Sequence, residues 1–206
     1  LKNQGIKNLF TRPTFSHLLM DNVQSPERNF SLPLEKKFGF RGFLNHRIRS
    51  MMIYSLHKSS FPKEIHINRK WEGPSKVGGE IQRKYIQTMA DNLISLCPRG
   101  SGIDSVRLLE SCYFKRVPVL ISDEDYCLVG EDQYDTDFIY RIVDKDLTPN
   151  MLNKQLEKLY NEPIELLHER ATLAKKYFND IILEYFKDPT LFFLKWLNEK
   201  DEKRVK

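Results

Sequence analysis

Arginine, serine, glycine and one glutamate crowd the stretch Cys97, Pro98, Arg99, Gly100, Ser101, Gly102, Ser105, Arg107 and Glu110. Pro98 ends a strand ladder because it has no N–H to donate, and Gly100 and Gly102 permit a tight turn with close backbone approach. A helix is expected to start near Asp104 or Ser105, with its unpaired N–H groups aimed past the strand end. Such a terminus carries about half a positive charge and accommodates phosphate. Arg99 in the loop and Arg107 in the first helical turn add positive charge suited to a pyrophosphate. Glu110 follows Arg107 by three residues, on nearly the same helix face. A carboxylate there can accept both hydroxyls of a ribose. Asp104 would repel a phosphate and suits a helix cap facing away. The spacing also fits a plainer arrangement, in which Arg107 and Glu110 form an ordinary surface ion pair.

A strand and a helix must hold this loop, and the surrounding pattern supplies them repeatedly. Phe38–Phe43 is a short apolar and aromatic strand. Asn45 is expected to cap a helix whose Ile48, Met51, Met52 and Leu56 recur at helical spacing. Glu64–Asn68 reads as a second strand, the loop 71–79 leads to a helix over 80–90, and Leu93–Cys97 is a third strand. After the candidate loop come a helix over about 105–115, the strand Val117–Ser122, expected by its composition to be buried on both faces, and a fifth strand at Phe138–Val143. Thr148 caps a helix to Tyr160, and Ile164, Leu167, Ala171, Ala174, Phe178, Ile181, Ile182 and Tyr185 make one stripe on a helical tail. Strands alternating with helices predict a Rossmann-like α/β domain, a parallel sheet covered by helices on both faces. The expected division is an irregular segment over 1–37 with one short helix at 15–20, the Rossmann-like domain over 38–160, and C-terminal helices over 161–206 packing on it. Open sheets of this kind bind ligands beyond the carboxyl ends of their strands, here after Phe43, Cys97 and Ser122.

Composition narrows the classes. Hydrophobic residues are 40% of 206, enough for a substantial core, and no apolar run reaches the roughly 20 residues of a membrane span. The chain begins with Leu and has no signal-peptide pattern, as expected of a chain trimmed from a longer one. Cys97, Cys112 and Cys127 form no CxxC pair and the five histidines no metal-ligand spacing, so buried core thiols and no structural metal are expected. The first hundred residues carry 17 Lys/Arg against 7 Asp/Glu, the remainder 16 against 21. A basic first half fits an anionic partner without choosing among nucleotide, nucleic acid and sulfated polymer.

The segment 94–125 resembles the exostosin family of glycosyltransferases. That family runs a strand into CPRG, then S-x-R-x-x-E, then an IPV-x-x-x-D strand. Here Cys97–Gly100, Ser105, Arg107, Glu110, Val117–Val119 and Asp123 stand in that order. The stretch 39–56 is similar to the family's opening strand and helix, with Arg49 at the position of an arginine that approaches the donor phosphates. The similarity covers about 38–145. One departure is Lys115–Arg116, where the family usually places a Gly before the strand.

The resemblance implies the donor-binding half of a GT-B enzyme, an inverting transferase moving a sugar from a UDP-linked donor to a glycan or glycoprotein acceptor without a metal. Donor-binding residues are then Arg49, Pro98, Arg99, Gly100, Ser101, Gly102, Ser105, Arg107, Glu110 and Asp123. Arg49, Arg99 and Arg107 hold phosphate, Ser105 donates to it, and Glu110 holds ribose. The resemblance leaves cytoplasmic and Golgi-lumenal settings both open, and GDP open as the donor base. Residues 1–37 are too few for an acceptor domain, which normally brings the general base. His17 and Asp21 are weak candidates, and no base is assigned. Two rivals stand beside this reading. A metal-dependent GT-A transferase would use a DxD-type string, 123–125, 135–137 or 144–146. A non-catalytic module binding an anionic polymer would use the basic half with Tyr54, Trp71 and Tyr85, although no nucleic-acid motif accompanies them.

Overall fold

The computed structural model describes residues 31–68, 80–102, 105–124, 128–131, 134–188 and 190. The expected helix at 15–20, His17 and Asp21, the loop 71–79 with Trp71, and Asp104, Asp125 and Cys127 lie outside the described residues.

Five strands form one sheet: β1 (Phe38–Phe43), β2 (Lys63–Asn68), β3 (Ile94–Pro98), β4 (Val117–Ser122) and β5 (Tyr140–Val143). Every pairing is parallel and the order is β2-β1-β3-β4-β5. Between them run α1 (Arg47–Lys58), α2 (Glu80–Asp91) and α3 (Val106–Tyr113), followed by α4 (Pro149–Asn161) and α5 (Ile164–Tyr177). A π-helical turn over Phe178–Ile182 joins α5 to α6 (Leu183–Lys187).

Strand alternation sorts the core into two layers. Ile94, Leu96, Val117, Val119 and Ile121 face a cluster completed by Ile48, Met52 and Leu56 of α1 and Leu152, Leu156 and Leu159 of α4. Cys97 and Leu120 face the other, with Met89 of α2, Leu108, Leu109 and Cys112 of α3, and Tyr177 and Phe178. Helices therefore cover both faces, as a buried parallel sheet requires. The helix α5 serves both layers, Leu167 and Ala171 in the first and Ala174 and Tyr177 in the second. Cys97 and Cys112 are buried free thiols, and burial raises the pKa of each.

Three local expectations change, the first being that Pro98 stays inside β3, paired with Ile121, rather than ending the ladder. His46, not Asn45, caps α1: its side chain accepts from the Ile48 N–H at 3.2 Å. Asn45 instead donates to Ser101 Oγ at 3.1 Å, across to the candidate loop. Phe138 and Ile139 are buried ahead of β5 rather than within it. Thr148 caps α4 as expected, accepting from the Met151 N–H.

The departure at Lys115–Arg116 has a definite geometry. Lys115 N–H donates to the Cys112 carbonyl at 3.1 Å and Arg116 N–H to the Ser111 carbonyl at 2.9 Å. Those paired bonds are a Schellman motif, which wants a left-handed residue where Lys115 sits. Lys115 has φ 58° and is the non-glycine residue with positive φ among those described. Arg116, fully buried, donates from Nε to Met89 O at 3.0 Å and from Nη2 to Ala90 O at 2.6 Å, covering the C-terminal carbonyls of α2. Burial lowers its pKa from 12.5 to about 10, still charged at neutral pH.

The other fastening of α2 is Glu64 on β2. Its carboxylate accepts from Lys37 Nζ and Asn92 Nδ2, each at 3.1 Å, and from Thr88 Oγ1 at 3.0 Å. Thr88 Oγ1 in turn accepts from Arg41 Nε at 3.1 Å, so β1, β2 and α2 meet on one carboxylate. Burial alone would raise the Glu64 pKa. Hydrogen bonds from Asn92, Lys37 and Thr88 outweigh it and hold the pKa at about 2 against an ordinary 4.5.

Two outcomes are expected. A non-glycine residue in the left-handed region costs about 1–2 kcal/mol, partly offset by the chain entropy a glycine adds to the unfolded state. Lys115→Gly should therefore stabilise the fold by about 0.5–1 kcal/mol in urea denaturation, and a lower midpoint would contradict the left-handed assignment. A depressed carboxylate contributes stability above its unfolded pKa, lost as pH falls through the folded one. Glu64 should contribute on the order of 2 kcal/mol at pH 5.5, disappearing between about pH 4.5 and 2. Glu64→Gln should start less stable and fall less steeply over that range; parallel wild-type and variant curves would rule out the linkage.

Candidate functional site

Strand order reverses between β1 and β3, the topological switch point where open parallel sheets leave a crevice. The crevice opens early. β1 pairs with β2 along its whole length, Phe38 with Lys63 through Phe43 with Asn68. Against β3 it pairs only at Phe38 with Ile94 and Gly39 with Ser95. Beyond Gly39 the two strands part, while β3 stays with β4 as far as Pro98 and Ile121.

Parting leaves carbonyls to be satisfied. Phe38 N–H points to β2, donating to Pro62 O, and Lys37 O points to β3, accepting from Ile94 N–H. By alternation the carbonyls of Arg41 and Phe43 also face β3, where no strand pairs with them. Two arginines take the place of the ladder. Arg107 Nη2 of α3 donates to Arg41 O. Arg49 of α1 donates from Nη1 to Phe43 O at 2.8 Å and from Nε to Arg99 O at 3.1 Å, lacing the two strand ends together. Gly100 makes this approach feasible, since a Cβ there would lie 3.0 Å from Arg49 Nη2.

These guanidiniums are supported by carbonyls and rings rather than by carboxylates. Among the described residues neither Arg49 nor Arg107 has an acidic oxygen within ion-pair distance. Arg107 is 8% exposed and lies over the Phe40 ring at 4.5 Å and the Tyr85 ring at 5.2 Å. Burial first, and the charge of Arg107 second, bring the Arg49 pKa from 12.5 down to about 10. Arg49 remains cationic at neutral pH. Two positive groups near enough to repel each other thus sit at the mouth of the crevice.

Arg99 differs. Its backbone N–H extends the β3–β4 pairing to Ile121 O, and its guanidinium reaches Asp123 Oδ1, Glu124 Oε1 at 3.0 Å and Gly102 O at 3.3 Å. Burial would lower its pKa, but the two carboxylates raise it. Burial would likewise raise the Asp123 carboxyl, and the Arg99 hydrogen bond holds it down. Arg47 adds a contact to Asp123 Oδ2 at 3.6 Å. Asp123 therefore neutralises the β4 side of the mouth. Pro98 and Gly100 are buried, Ser101 and Gly102 exposed, and Ser105 is buried at the start of α3 without a side-chain capping bond.

Glu110 is 4% exposed, and its Oε2 accepts from the Tyr85 hydroxyl of α2. Its burial, with that of Arg107, removes the surface-ion-pair arrangement. Tyr85 OH is pushed well above 10 by burial, against the lowering effect of Arg107, so it stays a neutral donor at physiological pH. A small cleft is lined by Gly39, Phe40 and Arg41 of β1, Ser95 of β3, Tyr85 of α2 and Arg107 of α3.

Other strings settle into local roles. Asp135 Oδ1 accepts from Asp137 N–H at 2.9 Å and Asp144 Oδ1 from Asp146 N–H at 2.8 Å, both turns built by an Asp on its own backbone. Asp123 and Glu124 are engaged by Arg99. Among the described residues no three His, Cys, Asp or Glu side chains converge on one point. Tyr54 is exposed on α1, whereas Tyr85 is packed on Arg107. No helix among the described residues is long and apolar enough to cross a membrane.

Sequence reading missed Tyr85 as the partner of Glu110 and Phe40 as a support for Arg107. It also missed Arg47 and Asn45 at the mouth. Asn45 and Arg47 lie within four residues of Arg49, and their polar clustering after a strand was the available signal. No protein-family model matches this sequence, and no curated protein matches it.

Proposed function

We propose that this chain binds a nucleotide-sugar, UDP-linked for preference, at the β1/β3 switch point as the donor-holding part of an inverting glycosyltransferase of exostosin type. The observation that carries it is the pair Arg49 and Arg107. Two largely buried guanidiniums resting on carbonyls rather than carboxylates make an unneutralised positive site, the environment a diphosphate would complete. The N-terminus of α3, beginning beside them, adds partial charge of the same sign. The ordered residues 97–100, Ser105, Arg107, Glu110 and Asp123 that resemble the exostosin family support the specific chemistry.

In sugar transfer the donor's bond to the diphosphate breaks as the acceptor hydroxyl attacks the anomeric carbon, and negative charge grows on the departing phosphate. Arg49, Arg107 and the α3 N–H groups face that charge in a fixed arrangement, so they need no reorganisation as it develops. Glu110, one turn further along α3, has Oε1 left to accept from a ribose hydroxyl. A glycan or glycoprotein hydroxyl is the acceptor in this scheme, and no residue is assigned as base.

Calorimetry should show UDP binding to the full chain with the same affinity in EDTA as in magnesium. Binding abolished by chelation would favour the metal-dependent alternative through 123–125. Glu110→Ala should leave the fold intact and weaken UDP by tenfold or more, because a charged hydrogen bond is worth about 1.5–3 kcal/mol. Undiminished UDP affinity in that variant would remove Glu110 from the site.

A further inference from the structure

Tyr85 touches both groups that the nucleotide would meet on α3. Its hydroxyl donates to Glu110 Oε2, and its ring lies 5.2 Å from the Arg107 guanidinium. Arg107 and Glu110 are three residues apart on one helix, while Tyr85 comes across from α2, a helix held by the Glu64 and Arg116 contacts. A glutamate side chain has three rotatable bonds, and a well-aimed hydrogen bond from a ribose hydroxyl to one of its oxygens needs them fixed. The hydroxyl of Tyr85 fixes one carboxylate oxygen and thereby aims the other. The ring, with Phe40, keeps the Arg107 guanidinium against Arg41 O.

We infer, resting on the nucleotide reading of the site, that Tyr85 is a positioning residue with two separable actions: its hydroxyl sets ribose recognition through Glu110, and its ring sets phosphate recognition through Arg107. Tyr85 need not touch the ligand. A neutral phenol at physiological pH suits the first action, since it donates one proton and adds no charge beside Arg107.

The separation gives the test. Tyr85→Phe keeps the ring and removes the hydroxyl; Tyr85→Leu removes both. Calorimetry on the full chain would use three probes: UDP, 2′-deoxy-UDP and inorganic pyrophosphate. Wild type should prefer UDP to 2′-deoxy-UDP. Tyr85→Phe should weaken UDP by about tenfold, bring the two nucleotides close to equal affinity, and leave pyrophosphate within twofold. Tyr85→Leu should weaken all three. A Glu110→Ala/Tyr85→Phe double variant should bind UDP no worse than Glu110→Ala alone, which separates positioning from a general loss of structure. An equal loss for all three probes in Tyr85→Phe, or an unchanged preference for UDP, overturns the inference while leaving nucleotide binding standing. Wild type that ignores UDP sinks the nucleotide reading itself. Wild type that binds UDP and 2′-deoxy-UDP alike sinks the Glu110 ribose contact, and this inference with it.

Discussion

The parting of β1 from β3 after Gly39 is the constraint on which the crevice depends. A buried carbonyl deprived of its partner costs about 1–3 kcal/mol, so strands do not separate in a core unless another donor arrives. Here the donors are side chains from two different helices, Arg107 reaching back to Arg41 O and Arg49 reaching Phe43 O and Arg99 O. Satisfying backbone with guanidinium solves one problem and creates another. The carbonyls gain strong charged hydrogen bonds, while each cation gives up water for partners that carry only dipoles. Positive potential is left over where the sheet is open.

That residual charge explains why aromatic rings gather at the same place. Phe40 is the β1 residue just before Arg41, and Tyr85 faces it from α2. Both present a ring to Arg107. A ring face offers favourable electrostatics to a cation without a counter-charge that would cancel it. A carboxylate in the position of either ring would hold Arg107 as firmly and leave nothing for an anion to recognise. Glu110 is near enough to do so by sequence spacing, and the Tyr85 hydroxyl occupies it instead.

Much of the architecture was legible because its signals are local. The run Val117–Ser122 is buried at every position, and Leu167, Ala171, Ala174, Phe178 and Ile182 of the predicted stripe enter the core layers. What was illegible depends on register or on distant pairing. Asn45 and His46 are adjacent residues able to cap α1, and only the contact from Asn45 to Ser101 decides which is free to do it. Phe138 and Ile139 are apolar enough for a strand, but they enter the core as the chain turns toward β5. In the candidate loop, residue types and spacing pointed to Arg107 and Glu110. They did not show that β1 and β3 separate, nor that a tyrosine 25 residues earlier meets Glu110. The left-handed Lys115 belongs to the Lys115–Arg116 pair that stands where the exostosin pattern usually has a glycine before the strand. There the residue type conceals a conformational demand.

The two sides of the mouth are electrostatically unlike, and this bears on where an anion would settle. On the β4 side Arg99 and Arg47 face Asp123 and Glu124, so four charges nearly cancel within a few ångströms. On the β1 side Arg49 and Arg107 have no such partners among the described residues, and burial first and their mutual repulsion second lower the pKa of Arg49. Exposed pairs are screened beyond about 8–10 Å in physiological salt, whereas buried charges are screened much less. An approaching diphosphate therefore gains most between β1 and β3, against Arg49 and Arg107. There it relieves a repulsion already present in the fold, whereas at Arg99 it would have to displace Asp123 and Glu124. In this scheme Arg99 positions the loop, holding the end of β3 to β4 and leaving its carbonyl for Arg49. In that scheme the pair at the strand parting is what would meet the charge.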